Sequence, residues 1–225
     1  RGLIRQVIDD EADAARICRD TAEVAQALIR NASGRLDVMG DLITRCASES
    51  CARYFGLPLE DPVAFANWTM AVSTLLFADP TGSRETRRRG LYGAARLQAL
   101  VDRALEAAEA RHEAGHPADT LADRFVRARH TTHPDLAPAT IRATLIGLMT
   151  GFVPTNTLAT GKMLEALLKR PDAWRQAREA ARAGDRDRLK AILLEAGRLN
   201  PALFPGQFRY ARTEGVIAEG TWRRR

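Results

Sequence analysis

Lysine is scarce in this chain of 225 residues. Lys162, Lys169 and Lys190 are the only ones, and arginine carries nearly all the positive charge. Aromatic residues make up only 6%, so Leu, Ala and Val must fill the interior. Three cysteines, Cys18, Cys46 and Cys51, are too few for a disulfide framework. Cys46 and Cys51 fall off-register for one helix face, and reduced thiols in a cytoplasmic protein are expected. No apolar run reaches the roughly 18 residues of a membrane-crossing helix, and no secretory leader pattern is present. Internal repeats and low-complexity linkers are absent.

What is present is a helical chain of moderate basicity. Basic residues number 34 and acidic 28, for a net charge of +6. The charges alternate in sign along stretches such as "DRALEAAEARHE", which is the pattern of solvated helix faces. One dense basic run stands out before the terminus, "RETRRRG" from Arg84 to Gly90. It is too short and isolated to predict nucleic-acid binding. At 45% hydrophobic, the chain can bury one sizeable core.

Helical periodicity dominates. It predicts a short helix from Arg1, then helices over about 21–31 and 37–55, the latter stopped by Gly56 and Pro58. "EDP" sets Pro62 at the start of a helix that runs to Ala78. Further helices are expected over about 85–113, 119–128, from Pro138 onward, 172–183 and 186–198. After Asn200 the texture becomes irregular. "FRYA" and "GVI" read as short strands around a turn at 213–215. The prediction is one mainly α unit over 1–225: a helical body to residue 200, then a small β appendage. The abrupt ends, "RGLIRQVI" and "GTWRRR", suggest a segment of a longer protein.

Three patterns could carry chemistry. His112-Glu113-x-x-His116 matches the zinc-protease spacing H-E-x-x-H, which needs both His on one helix face. Gly115 and Pro117 flank His116, so a helix stop is expected there, with His116, His130 and His133 on the surface. The second pattern lies in "IRATLIGLMTGFVPTNTLATG". Gly147, Gly151 and Thr155 recur every four residues and share one face. Pro154 follows inside the same helix at a cost of roughly 3 kcal/mol. It leaves the Thr150 carbonyl without its amide donor. Such a stripe suits either tight helix packing or a groove over a flat ligand. The third pattern is Glu195-x-x-Arg198, whose members share a helix face and can pair.

The order of these features resembles the central and carboxyl-proximal part of a bacterial cytochrome P450, a haem-thiolate oxygenase. The similarity rests on "GLIRQVIDDEAD", "LDVMGDLITRCASESCARYFGLPLEDP", the Gly–Thr segment, "LLKRPDAWRQ", Glu195-x-x-Arg198, "LNP" and "FRYA". The resemblance implies an incomplete P450-like helical fold and haem as cofactor. Glu195 and Arg198 correspond to the pair that holds the core beneath the haem. Arg209 corresponds to the strand arginine on a haem propionate, a carboxylate that guanidinium suits by its paired donors. "RGLIR" is similar to the family's H-x-x-x-R helix, with Arg5 in the arginine position and Arg1 in place of the histidine. Gly151 and Thr155 match the small residue and the alcohol of the oxygen-binding groove.

Two departures accompany the match. Pro154 stands where that groove carries an acid, and Phe152 where it carries a second glycine. Loss of the acid puts the usual proton delivery in doubt and favours peroxide-driven oxidation. The family's cysteine loop lies downstream of the arginine strand and is not found in these 225 residues, so the chain alone is not expected to bind haem through a thiolate. The implied function is part of a monooxygenase or peroxide-using oxidoreductase. Its partners would be a hydrophobic small-molecule substrate and an acidic electron-transfer protein. The segment from Asp61 to Arg89 would lie over the pocket, with apolar "FANWTMAVSTLLFA" at its centre. A haem-free helical interaction module derived from the same fold is the alternative.

Overall fold

The computed structural model describes residues 2–79 and 81–203. Among these residues the chain is helical, with no strand. The short strands expected at "FRYA" and "GVI" fall outside the described residues. In order, the helices are α1 (Gly2–Val7), α2 (Asp10–Arg30), α3 (Arg45–Phe55), α4 (Pro62–Phe77), α5 (Arg84–Glu113), α6 (Leu121–Thr131), α7 (Pro138–Leu168), α8 (Pro171–Ala183) and α9 (Arg186–Leu199). A π-helical segment, Val38–Thr44, runs directly into α3.

Local chemistry sets most of the helix ends. Asp61 accepts hydrogen bonds from the Val63 and Ala64 amides, and Pro62 fixes the first helical turn of α4. Asp37, Ser83, Thr120 and Asp185 cap their helices in the same way. Gly184 ends α8 in the left-handed conformation, at φ 68°.

The expected helix over 21–31 is in fact α2, which begins at Asp10. Asp9 caps it, and Asp10, Glu11 and Asp13 occupy its first turn, where carboxylates meet the positive end of the helix dipole. Asp13 is also drawn inward. Its carboxylate accepts two 2.8 Å hydrogen bonds from Arg124 Nη1 and one of 2.8 Å from Tyr54 Oη. Arg124 simultaneously grips Asp119 at 2.8 and 2.7 Å. On the neighbouring turn, Asp123 takes a two-pronged pair from Arg111 at 2.9 and 3.0 Å, and the Thr120 hydroxyl. These bonds fasten α6 to α2 and α5, and α2 to α3.

The main core gathers Phe55, Phe65, Leu97, Val101, Phe125, Ile141, Leu145 and Met149. Helix α7 runs through it, touching α3, α4 and α5, and its carboxyl half then meets α8 and α9. A second cluster forms there, with Ala166, Leu167, Ala177 and Ala196 packed by Trp174 and Ile192. Helices α4 and α5 approach closely at Gly93, where an added Cβ would stand 2.8 Å from the Trp68 carbonyl oxygen.

Proline does not interrupt α7. The helix continues through Pro154. Proline removes a single donor, and Val153 and Pro154 are buried in the core on that turn. No helix among the described residues is long and apolar enough to cross a membrane.

Candidate functional site

Helix α7 buries one side in the core and leaves the other uncovered. Ile141, Leu145, Met149, Thr150, Val153 and Thr157 face inward. Gly147, Gly151 and Thr155 are exposed, and Ala143 extends the same line one turn earlier. An added Cβ at Gly147 or Gly151 would meet nothing within 4 Å. Of the two uses a small-residue stripe has, packing against another helix is not realised among the described residues. The stripe is an open, flat strip, and Ala143, four residues before Gly147, is a member that the sequence reading did not name.

The departures from the oxygen-groove pattern have structural partners. Phe152 is half-buried and sets its ring edge-on to Phe55, with centroids 6.4 Å apart. It thus packs against α3, which a glycine could not do. Pro154 is buried, so its ring does not lie on the exposed strip with Thr155. The Thr150 hydroxyl turns back to the Gly147 carbonyl at 2.9 Å. On the side of α7 towards α2 and α3 lies a cavity of about 280 Å³, lined by Ile17, Thr21, Cys46, Phe152 and Asn156 among others. Asn156 Nδ2 donates to the Phe152 carbonyl at 2.7 Å, which holds its amide against the helix.

Glu195 and Arg198 form the expected pair, two-pronged, at 2.7 Å for both bonds. It is exposed on α9, and the Arg198 guanidinium holds the Glu195 carboxyl below the usual carboxylate range. Nearby, Asn200 Nδ2 ties α9 to α7 through the Lys162 carbonyl and Glu165 Oε2, both at 3.0 Å. Arg1 and Arg209 lie outside the described residues. Arg5 is placed only through its backbone, in α1.

The H-E-x-x-H geometry does not form. Helix α5 ends at Glu113, and Gly115 turns the chain with φ +74°, so His116 is not one turn above His112. His112 instead stacks on His130 at 4.5 Å between centroids, and His130 Nε2 lies 2.8 Å from Glu109 Oε2. None of the cysteines belongs to α7: Cys18 is exposed on α2, and Cys46 and Cys51 are in α3. Cys51 is fully buried in α3, and burial pushes its thiol well up. Cys46 lines the cavity on the other side of α7, and its thiol is also raised, by burial and then by Glu49. Of the segment expected over a substrate, Phe65, Ala66, Thr69 and Val72 are core, while Val63, Leu76 and Phe77 are exposed.

No protein-family model and no curated protein matches the sequence. Among solved structures the chain is similar to CalO2, at 24% identity and a TM-score of 0.67, over 88% of this chain and 47% of that one. It is likewise similar to the ligand-free cytochrome P450 TbtJ1, at 24% identity and 0.66, over 88% of this chain and 49% of that one. The chain therefore has a mainly α, cytochrome P450-like fold, and it spans about half the length of these structures.

Proposed function

From the cytochrome P450-like fold, we propose that the chain is the central part of a haem-dependent oxidoreductase that acts on a hydrophobic small molecule. The open strip Ala143–Gly147–Gly151–Thr155 on an otherwise buried helix carries this reading. A flat macrocycle needs a face free of branched side chains, and both glycines sit on one. When bound, haem would supply the redox chemistry that activates oxygen or peroxide.

The chain's own residues would do the rest. Gly147 and Gly151 let the flat group approach the helix. Thr155 offers a hydroxyl that can hold or pass a proton beside it. Arg5 and Arg209, with Arg1, would meet the propionates. The Glu195–Arg198 pair would brace α9 beneath the haem. Cys51 is fully buried in α3, Cys46 lines the cavity towards α2 and α3, and Cys18 lies on α2, so none of them belongs to the strip. The axial ligand is proposed to come from sequence beyond this chain, as the half-length coverage suggests.

Pro154 supplies no titratable group next to Thr155. We therefore favour peroxide over dioxygen with an acidic electron-transfer protein as the source of oxidising equivalents. Turnover by a polypeptide of full P450 length, with hydrogen peroxide on one hand and with a reductase and oxygen on the other, tests this. Product formation with peroxide at low coupling with the reductase is expected. Well-coupled oxygen turnover that Pro154→Glu does not improve would overturn the preference.

A further inference from the structure

The α4–α5 hairpin carries a groove that the haem reading leaves unused. It measures about 500 Å³ and runs between Trp68, Met70 and Thr74 of α4 and Arg88, Arg89 and Tyr92 of α5. Its floor is aromatic and thioether, and Tyr92 is 61% exposed. Arg96 adds a guanidinium 4.9 Å from the Trp68 ring centroid, a cation–π arrangement. At the end of α4, Leu76 and Phe77 are exposed as well.

The charge around the groove is one-sided. From residue 67 to 96 the sequence places Arg84, Arg87, Arg88, Arg89 and Arg96 against only Asp79 and Glu85. Glu85 is shared by Arg88 and Arg89, at 2.7–2.8 Å and 2.6 Å. Such exposed pairs add little to stability, so the run is poorly explained as a brace for α5. Every cation here is arginine, whose planar fork matches carboxylates two at a time.

We propose that this groove docks an acidic amphipathic helix of a partner protein. A helix presents carboxylates one turn apart with an apolar side chain between them. The carboxylates would take Arg88 and Arg89, and the apolar side chain would enter between Trp68 and Tyr92. Exposed tyrosine and arginine around a pocket are the residue types that dominate protein–protein binding energy. The concavity argues for an inserted side chain rather than a flat lipid surface.

The test uses the full chain and a fluorescein-labelled synthetic helix with glutamates at i and i+4 flanking a phenylalanine, read by fluorescence anisotropy. Saturable binding is expected. It should weaken at least about tenfold in Arg88→Glu/Arg89→Glu and in Tyr92→Ala, but not in Arg182→Glu on α8. Circular dichroism confirms that each variant remains helical. The proposal is overturned if the helix does not bind, or if Arg182→Glu weakens binding as much. It is also overturned if phosphatidylglycerol vesicles bind in an Arg88/Arg89-dependent way while the peptide does not.

Discussion

Filling the strip on α7 should stabilise the chain. Glycine in a helix interior costs about 1 kcal/mol relative to alanine, through backbone entropy. At Gly147 and Gly151 an added Cβ meets nothing within 4 Å, so no steric loss opposes that gain. Gly147→Ala/Gly151→Ala should therefore gain about 2 kcal/mol if the sites add, or roughly 4–8 °C in melting temperature for a chain of this length. Gly93→Ala is the contrasting control. It makes the same entropic gain but sets its Cβ 2.8 Å from the Trp68 carbonyl oxygen and 3.2 Å from the Trp68 Cα. Backbone cannot yield as a side-chain tip can, so a net loss of about 1–3 kcal/mol is expected. Urea unfolding followed by circular dichroism reads both. If the double alanine variant is less stable than the parent sequence, the strip is a packing surface, and the argument for a ligand face fails.

Breaking the buried pair with Arg124→Met should cost about 3–5 kcal/mol in urea unfolding, because it strands the Asp13 carboxylate inside. A loss no larger than that of Arg53→Met, whose partner Glu23 is exposed, would contradict this. Acid should weaken the fold through Asp119 and Asp123. The hydrogen bond from Arg124 holds Asp119 below its ordinary range. Burial raises Asp123, but Arg111 and Thr120 outweigh it, so that group is lowered too. Carboxyls lowered by folding contribute fully above their unfolded value near 3.8. That contribution is lost as the pH falls from about 4 through the lower folded values, and a melting temperature flat from pH 5 to 2 would refute it. Pro154→Ala returns an amide donor to the Thr150 carbonyl, a gain of up to about 3 kcal/mol, and gives up part of the packing of a buried ring, about 1–2 kcal/mol. Thermal melting should show a small net stabilisation, and a clear loss would mean the proline is required by its surroundings.

The helix boundaries that sequence reveals are those with local causes. Asp61–Pro62, Pro138 and Gly184 act within one turn, and each sits where the pattern places it. The first half of α2 escaped because "DDEADAARICRD" reads as a solvated stretch. Its inward carboxylate is explained by Arg124, 111 residues away, and by Tyr54, neither of which leaves a local trace. The π-helical character of Val38–Thr44 escaped because apolar spacing there reads only as helix. Its register depends on contacts such as the Thr44 hydroxyl on the Met39 carbonyl at 2.6 Å, not on apolar spacing. The local cost of Pro154 is legible, but the core packing of Val153 and Pro154 around it is tertiary. At the site, the four-residue spacing put Gly147, Gly151 and Thr155 on one face. Whether that face was covered or open could not be read from spacing, since it depends on what the other helices leave bare.

The proposed function requires that the bare face of α7 receive a thiolate-held haem. The most direct measurement is the absorbance of the reduced carbon monoxide complex of the polypeptide extended to full P450 length and loaded with haem. A thiolate-type Soret band that is lost in Gly147→Leu/Gly151→Leu is the predicted result. Haem uptake with no such band, or a band that the leucines leave unchanged, would contradict it.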